Sequence, residues 1–277
     1  MALPIRPDRV ARRLLLLTLL LAPAACDISE DEEVALGREN AAQVERQLPL
    51  VEDAEVNAYV QELGLRLAHA TNRPDLDWHF RVVDTPEMNA FALPGGFIYV
   101  NRGLIERTRT MSELAGVLGH EVGHVALRHS VDQLEKRNAT GVGIAVVCTV
   151  TGWCADPVAQ VAIDVGASAI FATHSRGDES EADSAAVETL VRAGVHPEGV
   201  PALFETLLAE RQRAPAIVET WFASHPLEES RITATREQIQ RTDPYLLERL
   251  AGDDAGFARL KARLAELPAP PRPAGAP

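Results

Sequence analysis

Cysteine, aromatic residues and basic residues are all scarce in this 277-residue sequence. It has three cysteines, 5% aromatic residues, and 27 Lys and Arg residues against 40 Asp and Glu residues, for a formal net charge of -13. The acidic excess argues against nucleic acid as a partner, because phosphate binding requires patches of Lys and Arg. A membrane-spanning helix needs about 20 apolar residues, and the N-terminal apolar run from Leu14 to Ala22 is too short to be one.

That apolar run has the form of a secretory signal. Arginines precede it, and small residues and a cysteine follow it, so we expect residues 1–25 to be removed on export. The residues before Cys26 resemble a bacterial lipoprotein cleavage site, which would make Cys26 a lipid anchor to the inner or outer membrane. Pro23 departs from the Leu or Val that is usual at its position, and cleavage after Ala24 or Ala25 would instead leave a soluble periplasmic protein.

The other two cysteines, Cys148 and Cys154, lie close together in the sequence. Export would place them in an oxidising compartment, where a local disulfide can form between them. The alternative is that they are two small buried side chains.

The mature sequence divides into three segments. Residues 26–33 are acidic and predict a tether, and residues 34–250 are long enough for one domain with a substantial core. Residues 251–277 form a C-terminal segment whose Pro- and Ala-rich end predicts a disordered tail. A strand is expected over Trp78–Val83, and more strand with a turn at Gly95-Gly96 is expected over Phe91–Val100. Helices are expected from Met111 onward and over Val34–Gln47, Glu52–Ala70, Pro157–Phe171, Glu179–Ala193, Pro201–Arg211 and Glu228–Arg241.

The most informative stretch runs from His120 to His124 and has the pattern H-E-x-x-H. Residues four apart lie on one face of an α-helix, so both histidines can bind one zinc ion. Glu121 is then placed to deprotonate a water molecule that the metal activates. The alternative is a buried amphipathic helix with two hydrogen-bonded histidines. Thr110 to Glu113 has the form of a capping box, and apolar residues recur after it at helical spacing, which favours a helix here.

A catalytic zinc site needs a third protein ligand and keeps its fourth position open. Glu179 and Asp183 are four residues apart and share one face of a predicted helix. We expect Glu179 to be the third ligand and Asp183 to accept a hydrogen bond from the outer nitrogen of a ligating histidine. Glu181 is the competing candidate for the third ligand. It lies two residues from Glu179, so the two side chains cannot share one helix face. The alternative for the whole group is a solvated acidic helix face.

Four blocks of sequence resemble the HtpX/BepA/Oma-type zinc metallopeptidases of the gluzincin group, in the family's order. They comprise Asn89 to Val100 with Arg102-Gly103-Leu104, Glu113 to His124 with Arg128-His129, Ser175-Arg176 with Glu179 and Ala182-Asp183, and Ser224-His225-Pro226 with Arg231-Ile232. The resemblance is to a periplasmic, lipoprotein-like branch of this family, and we expect no helical-repeat domain after the catalytic region.

The resemblance implies an α+β fold that is predominantly helical. In it, a gluzincin-type metallopeptidase domain has a small sheet whose edge strand flanks the zinc helix. One Zn²⁺ per chain would be bound by His120, His124 and Glu179, with Glu121 as the general base. The strand Ala90-Phe91-Ala92-Leu93 would align an extended peptide by strand addition, the alternative being an ordinary core hairpin.

Two functional roles are implied for His225 and Arg231. In related enzymes a histidine at the His-Pro position stabilises the oxyanion of the tetrahedral intermediate, with the arginine nearby. In the BepA branch, a histidine of this loop can instead occupy the open position of zinc and silence the enzyme. A loop histidine before a helix-starting proline is the alternative without function. His129 lies off the ligand face and is not expected to bind the metal, and for His174 we expect a structural role.

Together these features predict an exported zinc endopeptidase of the bacterial periplasm. The resemblance implies that it hydrolyses unfolded or misfolded envelope proteins, with the outer-membrane assembly machinery as a partner. The rival prediction is a chaperone-like holding protein whose zinc site is plugged by His225. The intact Glu121 speaks against it, because a structural site has no need of a general base. A peptidase that stays silent until a partner displaces the His225 loop fits the sequence equally well.

Overall fold

The computed structural model describes residues 28–140, 174–226 and 229–271. The predictions for residues 1–25, for a lipid anchor at Cys26, for a disulfide between Cys148 and Cys154, for a helix over Pro157–Phe171 and for the end of the tail at residues 272–277 therefore concern residues outside the described part of the chain. Within the described ranges, no helix is both long enough and apolar enough to cross a membrane.

The described elements confirm the predicted fold class, a mostly helical α+β domain with one small sheet. In chain order they are α1 (Glu30–Gln47), α2 (Ala54–Ala68), β1 (His79–Val83), β2 (Ala90–Leu93), β3 (Phe97–Asn101), α3 (Arg102–Arg107), α4 (Met111–Ala126), α5 (His129–Thr140), α6 (Arg176–Arg192), α7 (Gly199–Arg213), α8 (Pro215–Ser224), α9 (Glu229–Ile239), α10 (Pro244–Leu247) and α11 (Ala255–Glu266).

The central strand of the sheet is β3, with β1 parallel on one side and β2 antiparallel on the other. The short turn Pro94–Gly96 joins β2 to β3, and its Gly95 and Gly96 have φ angles of 73° and 98°. Such angles favour glycine, which confirms the turn predicted at this point. Every residue of β3 is buried, because apolar layers cover both faces of the sheet.

The two outer strands differ in what lies along their edges. At β1, the side-chain amide of Gln61 donates to the Trp78 carbonyl over 3.0 Å and accepts from the Phe80 N–H over 2.8 Å. Further along, Leu50 pairs with Val83 as an isolated antiparallel bridge. These contacts close the outer edge of β1, whereas β2 lies beside α4.

The helix that carries the H-E-x-x-H motif, α4, is buried along its whole length. Its predicted start is confirmed, since the Thr110 hydroxyl accepts a hydrogen bond from the Glu113 N–H over 3.3 Å. Two glycines allow α6 to approach closely. A Cβ atom at Gly119 would lie 2.6 Å from Leu190 Cδ1, and one at Gly123 would lie 3.0 Å from the Ala182 carbonyl oxygen. The acidic side chains at the start of α6 can therefore reach the histidines of α4.

The N-terminal boundary of the domain differs from its prediction. Helix α1 begins at Glu30 instead of Val34, so residues 30–33 of the predicted tether are helical. The physical reason is a capping box in which the Ser29 hydroxyl accepts from the Glu32 N–H while the Glu32 carboxylate accepts from the Ser29 N–H.

The C-terminal boundary also differs. Helix α11 lies beyond the predicted domain end at residue 250 and packs against α2. Its apolar side chains at Phe257, Leu260 and Leu264 are buried in the main core, so α11 belongs to the domain. The sequence patterns do not predict α3, α8 or α10.

A buried carboxylate joins α1 to the rest of the site's framework. Glu33 accepts a hydrogen bond from the Gly95 N–H over 3.1 Å, and its oxygens lie 2.9 Å from Arg73 Nη1 and 3.0 Å from Arg128 Nε. Arg73 also donates to the Val125 carbonyl near the end of α4 over 3.1 Å. Glu33 thus ties α1 to the β2–β3 turn and to the motif helix.

We expect Glu33→Gln to lower the free energy of unfolding by about 2 kcal/mol. Breaking a fully buried ion pair costs about 3–5 kcal/mol, and Arg128 is partly exposed, which reduces the loss. Urea unfolding followed by circular dichroism measures this change. The exposed Glu39 of the same helix is the matched control, since Glu39→Gln should change stability by less than about 0.5 kcal/mol. Equal effects of the two substitutions would contradict the expectation.

Candidate active site

Four parts of the chain bring polar side chains to one buried point. The side chains are His120, Glu121 and His124 of α4, Glu179 and Asp183 of α6, His225 directly after α8, and Arg231 of α9. Each of these residues is at most 8% exposed. Buried ionisable groups are costly unless they are paired with one another or bind a metal, so such a cluster indicates a functional site.

The three predicted zinc ligands lie in mutual contact. Nε2 of His120 is 3.0 Å from Nε2 of His124. The carboxylate oxygens of Glu179 lie 3.6 Å from His120 Nε2 and 3.4 Å from His124 Nε2. Tetrahedral zinc with bonds of about 2.0–2.1 Å holds its ligand atoms about 3.3 Å apart. The separations, and the set of two imidazoles and one carboxylate, therefore fit one zinc ion.

A third imidazole, that of His225, completes the cluster. Its Nδ1 lies 3.0 Å from Glu179 Oε1 and 3.3 Å from His120 Nε2. His225 and the three predicted ligands all present atoms within 4.8 Å of one another. The imidazole thus lies where a metal held by the other three side chains would have its fourth position, which a catalytic zinc site keeps for water or substrate.

Glu121 faces the same point without joining the ligand cluster. The backbone N–H of Ala92 on β2 hydrogen-bonds to its carboxylate, and its Oε1 lies 3.6 Å from His225 Nε2. Among the described residues, Oε1 has no hydrogen-bond partner. Burial raises the pKa of Glu121, although His225 and His120 act against the rise. A carboxyl group with a raised pKa and one free oxygen is suited to proton transfer.

Asp183 lies beside His120, one of the predicted ligands. Its Oδ1 lies 2.9 Å from His120 Nδ1, the outer nitrogen of that ring. Burial lowers the pKa of His120, but hydrogen bonds with Asp183 and Glu179 outweigh it and raise that pKa to about 9. The carboxylate is thus placed to orient this ring through Nδ1 if Nε2 binds a metal.

Arg231 holds both carboxylates of α6. Its Nε and Nη2 each donate to an oxygen of Asp183 over 2.7 Å, and its Nη1 lies 2.7 Å from Glu179 Oε2. The guanidinium is thus engaged on the side of the metal ligands. These contacts favour a positioning role for Arg231 over its expected place beside an oxyanion.

The competing ligand Glu181 lies away from the cluster. Its side chain is 69% exposed, and its Oε2 lies 3.4 Å from His129 Nε2. The structure therefore brings Glu179, and not Glu181, together with His120 and His124.

Sequence reasoning missed the contacts of two histidines with His124. Nδ1 of His129 lies 2.9 Å from His124 Nδ1, and the ring of His174 stacks on His124 with 3.9 Å between the ring centroids. The Arg-His pair after the motif could have signalled the first contact, since Arg128 has a φ of 60° and redirects the chain. For His174 the sequence carries no comparable signal.

Comparisons with known proteins agree with this geometry. The family model described as Peptidase family M48 matches residues 54–239. The Beta-barrel assembly-enhancing protease of Yersinia pestis is 30% identical over 80% of this chain and 47% of its own length. Metalloprotease YcaL of Escherichia coli strain K12 is 31% identical over 58% of this chain and 62% of its own length. The Mitochondrial metalloendopeptidase OMA1 of Schizosaccharomyces pombe is 28% identical over 65% of this chain and 52% of its own length. The chain spans about half the length of the curated relatives it matches.

Proposed function

The chain belongs to peptidase family M48, and from that premise we propose that it is a zinc-dependent endopeptidase acting on unfolded or misfolded envelope proteins. One observation carries the proposal. The ligand atoms of the buried His120, His124 and Glu179 lie 3.0–3.6 Å apart, as the ligands of one zinc ion would, and Glu121 lies beside them. A set of two imidazoles and a carboxylate is typical of catalytic zinc in peptidases.

In this proposal His120, His124 and Glu179 hold the metal. Bound zinc would supply Lewis-acid chemistry, polarising the scissile carbonyl and making water a stronger nucleophile at neutral pH. Glu121 takes a proton from the attacking water at Oε1, the oxygen without a hydrogen-bond partner in the described ranges, and passes it to the leaving amine. The hydrogen bond from the Ala92 N–H holds the Glu121 carboxylate in place during this proton transfer.

The substrate chain is proposed to dock along β2, the strand Ala90-Phe91-Ala92-Leu93. This strand is an edge of the sheet and contacts Glu121 through the Ala92 N–H. The other edge, at β1, is closed by Gln61 and by the bridge from Leu50. An extended peptide added to β2 would lie next to the general base, which suits strand addition there.

His225 is proposed to act as a gate in the arrangement described. Its Nδ1 takes the fourth corner of the ligand cluster, and its Nε2 lies 3.6 Å from Glu121 Oε1. With the imidazole at that corner, attacking water and substrate carbonyl have no place between Glu121 and the ligands. Opening the site therefore requires His225 to move, after which it can still serve as the oxyanion donor of the alternative proposal.

The protein is proposed to work in the bacterial periplasm, held at the inner or outer membrane through Cys26 if that residue is acylated. One relative is named for β-barrel assembly, which supports the outer-membrane assembly machinery as a partner. The rival function, a chaperone-like holding protein plugged by His225, draws on the same contact of His225 with Glu179. Cleavage by a variant without that imidazole separates the two functions.

The test is β-casein cleavage by zinc-loaded wild type and His225→Ala, with Glu121→Gln beside them. We expect His225→Ala to cut at least about tenfold faster than wild type, which corresponds to a wild-type site that is closed about nine-tenths of the time or more. Loss of wild-type activity in His225→Ala would make the histidine a catalytic helper instead. No cleavage by any of the three proteins, each with zinc bound, would favour the holding function.

A further inference from the structure

The outer nitrogen of His124 has a partner that no predicted role explains. Nδ1 of His124 lies 2.9 Å from Nδ1 of the buried His129, and Nε2 of His129 lies 3.4 Å from Glu181 Oε2. We propose that His129 is a positioning residue for the metal site, which orients His124 and fixes its tautomer through a chain that ends at Glu181. This inference rests on the zinc site of the proposed function.

The direction of each hydrogen bond follows from proton counting. His124 presents Nε2 to His120 and Glu179, so its metal-binding lone pair is on Nε2 and its proton is on Nδ1. That N–H can only donate, so Nδ1 of His129 must accept. A neutral His129 then carries its own proton on Nε2, where it faces the Glu181 carboxylate.

The same group of histidines does not make a second metal site in this arrangement. His124, His129 and His174 present nitrogens close enough for a metal ion. However, such an ion would have to take Nδ1 of His124 while Nε2 serves the first site, and a neutral imidazole has only one lone pair to offer. The hydrogen bond between His124 and His129 requires no further loss of a proton from either ring. We therefore assign His129 to positioning and not to metal binding.

The two zinc-binding histidines are supported in different ways. His120 faces Asp183, a buried carboxylate held by Arg231, whereas His124 faces a buried imidazole whose own partner, Glu181, lies at the surface. A further buried carboxylate so close to Glu179 and Asp183 would add an unpaired negative charge, which is costly. A neutral imidazole supplies the hydrogen-bond acceptor for His124, and the negative charge of its own partner, Glu181, stays at the solvent-exposed surface.

A backbone device brings His129 to this place. In a continued helix, residue 129 would lie about 140° around the axis from His124 and could not meet its ring. The helix ends at Ala126, and Arg128 adopts a left-handed φ of 60°, so that α5 starts at His129 in a new direction. The Glu33 carboxylate lies 3.0 Å from Arg128 Nε and steadies the turn. A left-handed backbone conformation is uncommon at a residue other than glycine, and such conformations cluster at functional sites.

The test compares two substitutions of nearly equal size. His129→Asn keeps an acceptor, because Oδ1 of asparagine stands where Nδ1 of histidine stands, whereas His129→Leu removes it. Zinc affinity is measured by chelator competition, and the ligand field by the visible absorption of the Co²⁺-substituted protein. We expect His129→Leu to bind zinc about 10–100-fold more weakly than wild type and to shift the Co²⁺ bands. His129→Asn should stay within about threefold of wild type.

Other outcomes separate this inference from the function on which it rests. Thermal unfolding of the metal-free proteins shows whether His129→Leu folds, and the Asn and Leu variants should unfold alike. Equal zinc affinity of wild type and His129→Leu would overturn the positioning role while leaving the zinc site intact. Two zinc ions per wild-type chain, falling to one in His129→Leu, would overturn it by making His129 a ligand. Failure of wild type to bind zinc would overturn the proposed function itself.

Discussion

Glu121→Gln, made in the His225→Ala background, is expected to keep zinc binding and to lower the rate of casein cleavage by at least about a hundredfold. General acid–base catalysis contributes about 10²–10⁴ in rate, and glutamine can neither take nor return a proton. The amide retains the shape of the side chain and an oxygen that can accept the Ala92 N–H, so the site should stay assembled. The His225→Ala background is needed because the closed site would hide the loss.

Initial cleavage rates and bound zinc are measured on the same preparations. Glu237→Gln in the same background is the control, since Glu237 is an exposed carboxylate on α9, the helix that carries Arg231. A double variant that cuts within about tenfold of His225→Ala would show that Glu121 is not the general base. Loss of zinc together with activity would assign Glu121 to the metal site instead.

The second large effect concerns the third ligand. Glu179→Gln should weaken zinc binding by more than about a hundredfold, beyond the ~10–100-fold that outer partners of ligands contribute. The reason is that a neutral amide replaces the anionic oxygens that lie 3.4–3.6 Å from the two imidazoles. Glu181→Gln is the matched control two residues away. Its amide oxygen can still accept from His129, so its zinc affinity should stay within about threefold of wild type.

Chelator competition on the metal-free proteins gives both affinities, and their thermal unfolding shows whether each variant folds. The reverse order, with Glu181→Gln binding zinc more weakly, would sink the ligand assignment. A loss of folding in Glu179→Gln alone would point to the pairing of Glu179 with Arg231, and Glu179→Asp then tests the ligand role with the charge retained.

Those parts of the site that depend on local spacing were predictable from the sequence. His120 and His124 are one helical turn apart, as are Glu179 and Asp183, and the Thr110 cap sets where the first helix starts. Helical periodicity fixes such relations before any tertiary contact forms. The turn at Gly95-Gly96 was equally readable, because its backbone angles favour glycine.

Other parts depend on contacts between distant segments, which no local pattern encodes. The packing of α8 and α9 brings His225 into contact with Glu179. It also lets Arg231 bind both Asp183 and Glu179 of α6. The partnership of His129 with His124 depends on a left-handed turn at Arg128, an arginine that local preference would not place there. Helix α11 was missed as part of the domain because its apolar side chains are buried through contacts with α2 and α3, which are distant in the sequence.

The central claim is that the buried cluster is a zinc site whose fourth corner is taken by His225. Zinc K-edge X-ray absorption of the zinc-loaded protein tests it most directly, because it counts imidazole ligands. Wild type should show three imidazole nitrogens and one carboxylate oxygen at about 2.0–2.1 Å, and His225→Ala should show one imidazole fewer. The same count of imidazoles in both proteins would contradict the claim.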